Sequence, residues 1–494
     1  MHATIYRVKN FSLVLPFKVS NEGIAAVTHR QDTRRRAFGR RALLGPRTPV
    51  TAVATAFLCS ALMLGPGEAR PQALPGVSGR ADTLRLTLRD ARVLAVRDNP
   101  ELRAARLDVD VARGRLRQAS VLFTSNPSAD VLAGGSGAEI GLSQEIEVAG
   151  QRGARRAAGR AGLERADAGV ADAARLVFGE VDRAFYRLAA AEHRMQLADS
   201  VLALNQRLAD VAGRQLREGE ISRLEFNLAA VELGRSRSRS ISARRETGET
   251  AHELRRLLGL APDVPIAPLV PGDGGVVAVV LFSEAVTPDS LVALALSRRP
   301  DLRERAAAAA QARAEASVAR REAYPNLALR ASSEPAEGSG RTLRPGIGFS
   351  IPAFNRNRGE IQARRAEADQ AELQRVAIAA RVRADVASAL ASYRSAAAQT
   401  AALDSAVLAP ARENLRLSEI AYHEGKIGLP VLLLIRNQLI DAELEYWEAW
   451  QAAHEALANL SEATGENLTD LPAFPVQPAS AAVPRPRRSL PLNP

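Results

Sequence analysis

Few side chains in this sequence are spaced for reaction chemistry, and those that stand together are carboxylates. From Glu139 to Val148 the alternation is strict. Glu139, Gly141, Ser143, Glu145 and Glu147 fall on one face, and Ile140, Leu142, Ile146 and Val148 on the other, with Gln144 the exception. Such a strand separates a very wet side from a very dry one. Elsewhere the candidates disperse. Past residue 69 the histidines are His193, His252, His423 and His454, none paired at the i, i+4 spacing of a helical metal site, and the methionine is Met195 alone. They read as solvated helical histidines. No glycine-rich phosphate loop follows a strand, and no serine sits in a nucleophile elbow. The pattern predicts no catalytic residue, no cofactor site and no metal site.

The elements that must position these carboxylates are long. Gly150 to Leu258 is free of proline and rich in Ala, Arg, Leu and Glu. Leu197, Val201, Leu204, Leu208 and Val211 step by four and three, as do Leu224, Leu228 and Val231 beyond Gly219. That alternation predicts two long helices with a coiled-coil seam, folding back at Gly219, where glycine permits the reversal. At 1.5 Å per residue the first arm spans roughly 100 Å.

The hairpin has a second copy. Gly153, Gly219 and Gly259 are matched by Gly359, Gly425 and Gly465 at one interval, and Arg217-Glu218-Gly219-Glu220-Ile221 by His423-Glu424-Gly425-Lys426-Ile427. Upstream, Asn99-Pro100-Glu101-Leu102 is echoed by Arg299-Pro300-Asp301-Leu302, each a helix start with proline in the first turn. The unit is too long for a solenoid repeat, so two copies point to a pseudo-symmetric object. The first repeat covers 82–259 with a strand hairpin at 127–148 and a helical hairpin at 150–258. The second covers 286–466, with a strand hairpin at 325–354 and a helical hairpin at 359–465. A linker rich in proline and glycine, 260–285, joins them, and Pro410 is expected to kink or break the second hairpin's first arm.

In the second copy Leu327, Leu329 and Ala331 oppose Ala328, Arg330 and Ser332, and Ile347, Phe349 and Ile351 alternate with small residues. Ser128 to Gly134 alternates more weakly, with Gly134-Gly135-Ser136-Gly137 as the turn. Each copy therefore inserts one two-stranded hairpin, of about the 9–11 residues that cross a bilayer when tilted. Four strands cannot close a barrel alone, and an open edge does not persist in lipid. Either several chains share one barrel, or the strands form a small soluble sheet capping a helical bundle.

The net charge of +11 invites a nucleic-acid reading, but residues 1–69 hold ten Lys/Arg against three Asp/Glu and carry most of it. The remaining arginines interleave with acids along the helices, which predicts a solvated, ion-paired surface and no nucleic-acid partner. Arg34-Arg35-Arg36 and Arg40-Arg41, an apolar run from Val50 to Leu64 and a small-residue exit describe a secretory leader over 1–69. Cys59, the sole cysteine, follows Phe57 and Leu58 where an acylated cysteine would follow a small residue, so lipidation is not expected. The tail, 467–494, is proline-rich and expected to lack a fold.

The leader, the duplicated helix–strand–strand–helix unit, Asn99-Pro100-Glu101-Leu102, Pro325-Asn326-Leu327 and the glycine tips together resemble the TolC family of outer-membrane efflux channels. The resemblance runs from about Leu84 to Gly465, and Gln144 to Gly153 is similar to the strand-to-helix crossing of its heavy-metal (cobalt–zinc–cadmium) branch. It implies a mainly α fold with a small β part. In this picture a homotrimer pools its strands into one 12-stranded barrel in the bacterial outer membrane, continued by a periplasmic helical tunnel. It also implies passive conduction of metal cations or small toxic compounds, received from an inner-membrane RND pump through a periplasmic adaptor. A type I protein-secretion component shares this fold, and a soluble periplasmic coiled-coil scaffold is the reading from another class.

Carried over by position, Gly219, Glu220, Ile221, Ser222 and Arg223, with Gly425, Lys426, Ile427, Gly428 and Leu429, form the periplasmic tips that meet the adaptor, with Ile221, Ile427 and Leu429 exposed for contact. Where the family often rings its entrance with acids, this chain has Val431 and Leu434, which suggests an apolar constriction, with Glu225 the nearest acidic gating candidate. Glu139, Glu145, Glu147 and Arg330 are expected to line the barrel lumen, where the tripled glutamates would favour cations.

Overall fold

The computed structural model describes residues 83–134, 137–270, 287–336, 340–466 and 468. The leader over 1–69 with Cys59, residues 135–136 of the first strand turn, most of the linker and nearly all of the tail lie outside the described residues.

The first repeat opens with the short extended stretch β1 (Leu84–Leu86). Leu84-Arg85-Leu86 alternates, and Thr87 starts α1 (Leu88–Asp98) by a capping box with Asp90. Asn99 and Pro100 then end α1 and begin α2 (Pro100–Ser120), the Asn99 side chain accepting from Leu102 N at 3.0 Å. The strands β2 (Ser128–Gly134) and β3 (Gly137–Ile146) follow, then α3 (Gln151–Glu218) and α4 (Arg223–Leu258). β4 (Ile266–Pro268) lies at the start of the predicted linker and pairs in parallel with β1, Leu84 opposite Ile266.

The second repeat has α5 (Pro288–Arg298), α6 (Pro300–Glu322), β5 (Leu327–Pro335), β6 (Arg341–Phe349) and α7 (Arg358–Ala402). A π-turn over Leu403–Leu408 leads into α8 (Ala409–His423), and α9 (Leu429–Thr464) follows. Pro410 thus neither breaks nor visibly caps the arm. Proline offers no N–H to the helix ladder, and the widened turn before it shifts the pattern so that Ala409 N–H donates to Asp404 O. The long arms begin after left-handed residues, Gly150 (φ 76°) and Asn357 (φ 55°).

Packing reveals how the copies superpose. In the first core Val177, Val181, Ala184, Phe185 and Leu188 of α3 meet Ala251, Leu254 and Leu257 of α4 and Ala91 and Ala95 of α1. In the second, Val382, Val386, Ala389, Leu390 and Tyr393 of α7, at identical spacing, meet Leu457, Leu460 and Ala463 of α9 and Leu291 and Ala295 of α5. The stretch from Leu390 to Gly425 is one residue longer than that from Phe185 to Gly219. The π-turn lies inside it and absorbs that residue.

A shared latch closes each core. Asn99 Nδ2 donates to Leu257 O at 2.8 Å, and in the second repeat Arg299 Nη1 donates to Ala463 O at 3.1 Å while pairing with Asp301 at 2.6 Å. Beside each latch a helix ends on a left-handed glycine, Gly259 or Gly465, pressed against the neighbouring helix junction. A third, aromatic core joins the halves: Tyr446, Ala449 and Trp450 of α9 with Ala189 and Ala190 of α3 and both ends of the π-turn, Leu403 and Leu408.

Candidate conduit: the strand face and the helical tips

The four strands form one antiparallel sheet in the order β2-β3-β5-β6. Register settles which residues share a face, because directly opposed residues point the same way. Ser128, Ser143, Arg330 and Gly346 make one row, and Asp130, Gly141, Ser332 and Arg344 the next. By alternation Glu139, Glu145, Glu334 and Thr342 belong to the same face, with Leu132 and Ala328 the apolar exceptions. Its polarity is knit locally: Ser128 and Ser143 hydroxyls lie 2.7 Å apart, and Arg344 pairs with Glu334 at 3.3 Å. Opposite Arg330 the partner strand carries glycines, and a Cβ on Gly348 would come 3.7 Å from Arg330 Nε.

The other face holds Val131, Ile140, Leu142, Leu329, Leu343, Ile347 and Phe349, all exposed in the single chain, from Leu329 at 42% to Leu343 at 72%. A contiguous apolar face of this kind needs a covering. Among the described residues the outer strands β2 and β6 each keep one unpaired edge, and they run antiparallel to each other, since three antiparallel steps separate them.

Glu147 does not join this face. β3 ends at Ile146, and Glu147 lies in the crossing to α3, where its carboxylate pairs with Arg155 and accepts from the Thr124 hydroxyl at 3.3 Å. The alternation continued one step past the strand because a carboxylate that satisfies a helix-borne arginine looks the same in sequence as one facing water. Glu139, Glu145 and Arg330 stay on the polar face.

At the far end the two helical hairpins turn by one device. Glu220 N–H donates to Gln215 O at 2.9 Å around Gly219 (φ 77°), and Lys426 N–H to Ala421 O at 2.8 Å around Gly425 (φ 72°). Past the glycines they differ. Ser222 caps α4, and Glu225 returns to Ser222 N at 2.8 Å and its hydroxyl at 3.0 Å, so this acidic candidate serves a capping box. At the second tip Arg223's counterpart is Leu429, and Gly428 with Pro430 starts α9 without a side-chain cap. Ile221, Ile427 and Leu429 are half-buried rather than exposed. Exposed apolar residues near the tips include Leu224 at 69%, Leu434 at 59% and Val431 at 44%.

The leucine seam also departs from expectation. In the tip-ward half of the first hairpin, from about residue 197 to 245, the buried positions are Asn205 and Ala212 of α3 and Ala229, Ser236 and Ser240 of α4, with Ser240 bonded to Asp199 at 2.7 Å. Leu204, Val211, Leu224, Leu228 and Val231 remain exposed. Small residues let the two helices approach, and the larger ones point elsewhere.

The histidines divide. His454 is buried, its Nδ1 2.8 Å from Trp450 O, its ring against Trp450 and Tyr186, and burial pushes its pKa down to about 4. His193 stacks on Trp447 at 3.9 Å and is likewise held below its usual range by burial. Neighbouring Glu192 is pushed up to about 7 by burial. Sequence spacing gave no sign of this aromatic packing, which depends on α9 lying along α3. Among the described residues no cluster could hold a metal ion, and no helix is long and apolar enough to cross a membrane.

A repeated long hairpin with one strand pair per copy is the pattern of the outer membrane efflux proteins, whose family signature matches residues 92–260 and 291–466. The chain belongs to that family. Cobalt-zinc-cadmium resistance protein CzcC of Cupriavidus metallidurans is 25% identical over 399 residues, 77% of this chain and 90% of that protein. The solved structure of CusC shares the fold with a TM-score of 0.63 at 19% identity, covering 77% of this chain and 92% of that one. The Campylobacter jejuni CmeC outer membrane channel does so with 0.65 at 15% identity, covering 76% and 85%. As an outer membrane efflux protein the chain is a channel component and not an enzyme, and its place is the outer membrane.

Proposed function

We propose that three copies form one channel, each giving four strands to a closed 12-stranded barrel. Its helices form a periplasmic tunnel that accepts cargo from an inner-membrane RND pump through an adaptor. The observation that carries this reading is the sheet itself, which has a polar face, an exposed apolar face and two open edges of opposite direction. Copies can therefore join β2 to β6 and remain antiparallel throughout, leaving lipid on the outside and water within. The exposed Leu204, Val211, Leu228 and Val231 then face neighbouring copies along the tunnel.

The cargo on this reading is a metal cation or a small toxic compound. The polar face supports it: Asp130, Glu139, Glu145 and Glu334 outnumber Arg330 and Arg344, and threefold repetition deepens the negative potential. So does the likeness to a cobalt-zinc-cadmium resistance protein. Residues 219–223 and 425–429 meet the adaptor, and Val431 and Leu434 narrow the entrance, a dry constriction that gates by excluding water.

Planar-bilayer recording of the detergent-extracted protein tests the proposal. Discrete, cation-preferring openings are expected, rarer in the native chain than after Val431→Ser with Leu434→Ser. A chain that is soluble without detergent and silent in both forms would overturn it.

A further inference from the structure

We infer that Arg330 is an anion seat on the polar sheet face, one per copy, taking a free oxyanion of the phosphate class in an otherwise acidic conduit. The inference rests on the channel reading for its place in a lumen. It deepens that reading by naming a second class of ion that the conduit takes up.

Three observations converge on this arginine. The first is that it stands unpaired. Arg330 is exposed and shares its face with Asp130, Glu139, Glu145 and Glu334, yet among the described residues it makes no ion pair and no hydrogen bond to the protein. Arg344, on the same face, does the opposite and closes on Glu334 at 3.3 Å. One guanidinium is neutralised by its neighbour, and the other keeps its charge and its N–H donors for solution.

The second is where the head of the side chain lies. Register places Arg330 between Ser143 of β3 and Gly346 of β6. A Cβ on Gly346 would come 3.8 Å from Arg330 Cβ, and one on Gly348 3.7 Å from Nε and 3.8 Å from Cζ. The side chain therefore leaves β5 sideways and lays its head over β6 at Gly348, which has no side chain to lift it. Gly348 shares a row with Ala328 and Glu145, so that carboxylate stands two strands away, roughly 10 Å. The arginine has leaned to the side away from it. A planar fork held on a glycine floor, clear of the nearest acids, suits an oxyanion bound through two parallel hydrogen bonds.

The third is the layering along the strands. Rows of one face lie about 7 Å apart, two residues at a time. From the helix end the rows run through Glu145, then Arg330, then Asp130 with Arg344, then Glu139 with Glu334. Arg330 thus sets a positive band between acidic ones. Carboxylate bands alone would hold a multivalent cation and slow its exit, and conduction requires binding weak enough to leave. A positive band that seats its own anion makes that well shallower and admits a counter-ion beside the cation.

Pyrophosphate, in divalent-free solution at fixed ionic strength, is the probe. The parent is the assembled full chain carrying Val431→Ser and Leu434→Ser, so that the entrance is open. In planar bilayers pyrophosphate is expected to reduce single-channel current saturably, and adding Arg330→Gln to raise the half-blocking concentration about tenfold. Gly348→Val keeps the charge but fills the floor, and is expected to weaken block about threefold. Block as strong with Arg330→Gln as in the parent overturns the seat. Block unchanged by Gly348→Val would show a diffuse charge effect and overturn it as well. Equilibrium dialysis of radiolabelled pyrophosphate against the detergent-extracted protein reads the same site without current. Uptake that is lost with Arg330→Gln, in a protein that never opens, would leave the seat standing and refute the channel reading. Channels that open with neither block nor Arg330-dependent uptake would refute the seat and leave the channel.

Discussion

Gly259, Gly465 and Gly219 all end helices in the left-handed region, with φ of 67°, 70° and 77°. An alanine at any of them pays the same backbone cost, roughly 1–2 kcal/mol. What differs is the space. A Cβ at Gly259 would lie 2.5 Å from Asp98 O and 2.9 Å from Asp98 C, backbone atoms at the α1–α2 junction that Asn99 pins to Leu257. At Gly465 it would meet Arg299 Cγ, Cα and N at 3.1–3.3 Å, and at Gly219 nothing within 4 Å. Overpacking against an immobile neighbour adds about 1–3 kcal/mol. Gly259→Ala should therefore lose about 2–5 kcal/mol, Gly465→Ala somewhat less, and Gly219→Ala only the backbone share. Circular dichroism melting at one fixed scan rate, in one detergent, gives the order of apparent midpoints. Three equal drops would show that backbone conformation alone sets the cost and would refute the close approach as its cause.

Asp182 and Arg92 form a buried bidentate pair, with Arg92 Nε donating to Asp182 Oδ1 at 2.7 Å, so Asp182→Ala should cost about 3–5 kcal/mol and the double replacement by leucines much less, read by the same melting. Glu192 is pushed up to about 7 by burial, above its ordinary 4.5. The folded state thus holds the proton more tightly, and this group's stabilisation is complete below its unfolded pKa and lost as pH rises through about 7. Glu192→Gln should flatten that part of the pH–stability curve. Glu139→Gln with Glu145→Gln should lower cation preference in bilayer recordings. Glu147→Gln should leave preference intact and instead lower stability by about 1–3 kcal/mol, because it strips Arg155 of its charged partner.

Features governed by local chemistry were legible in the sequence. The tips follow from Gly219 and Gly425, the helix starts from Pro100 and Pro300, and the strand faces from the two-residue period between Glu139 and Ile146. What escaped depends on partners distant along the chain. Glu147 continues the strand's alternation in sequence, yet Arg155, one helix turn into α3, draws it out of the sheet. His454 looks like any helical histidine until α3 brings Tyr186 against it. Leu204, Val211, Leu224 and Leu228 mark a helix edge correctly, but periodicity does not say which neighbour an edge meets, and small residues took the inner contact. The π-turn was half visible: Pro410 announced a disturbance, while its form emerged only from superposing the two cores.

The open edges of β2 and β6 carry a genetic consequence. No single chain contains a complete wall, so in the proposed trimer a defect at either edge is a defect of the whole assembly, whichever copy brings it. A cell expressing native and edge-damaged chains equally, with random mixing, would build only about one fully native trimer in eight. Alleles that break β2 or β6, for example by proline at Val131 or Leu343, should therefore act dominantly over the native gene, whereas alleles that merely prevent folding or export of the chain should be recessive.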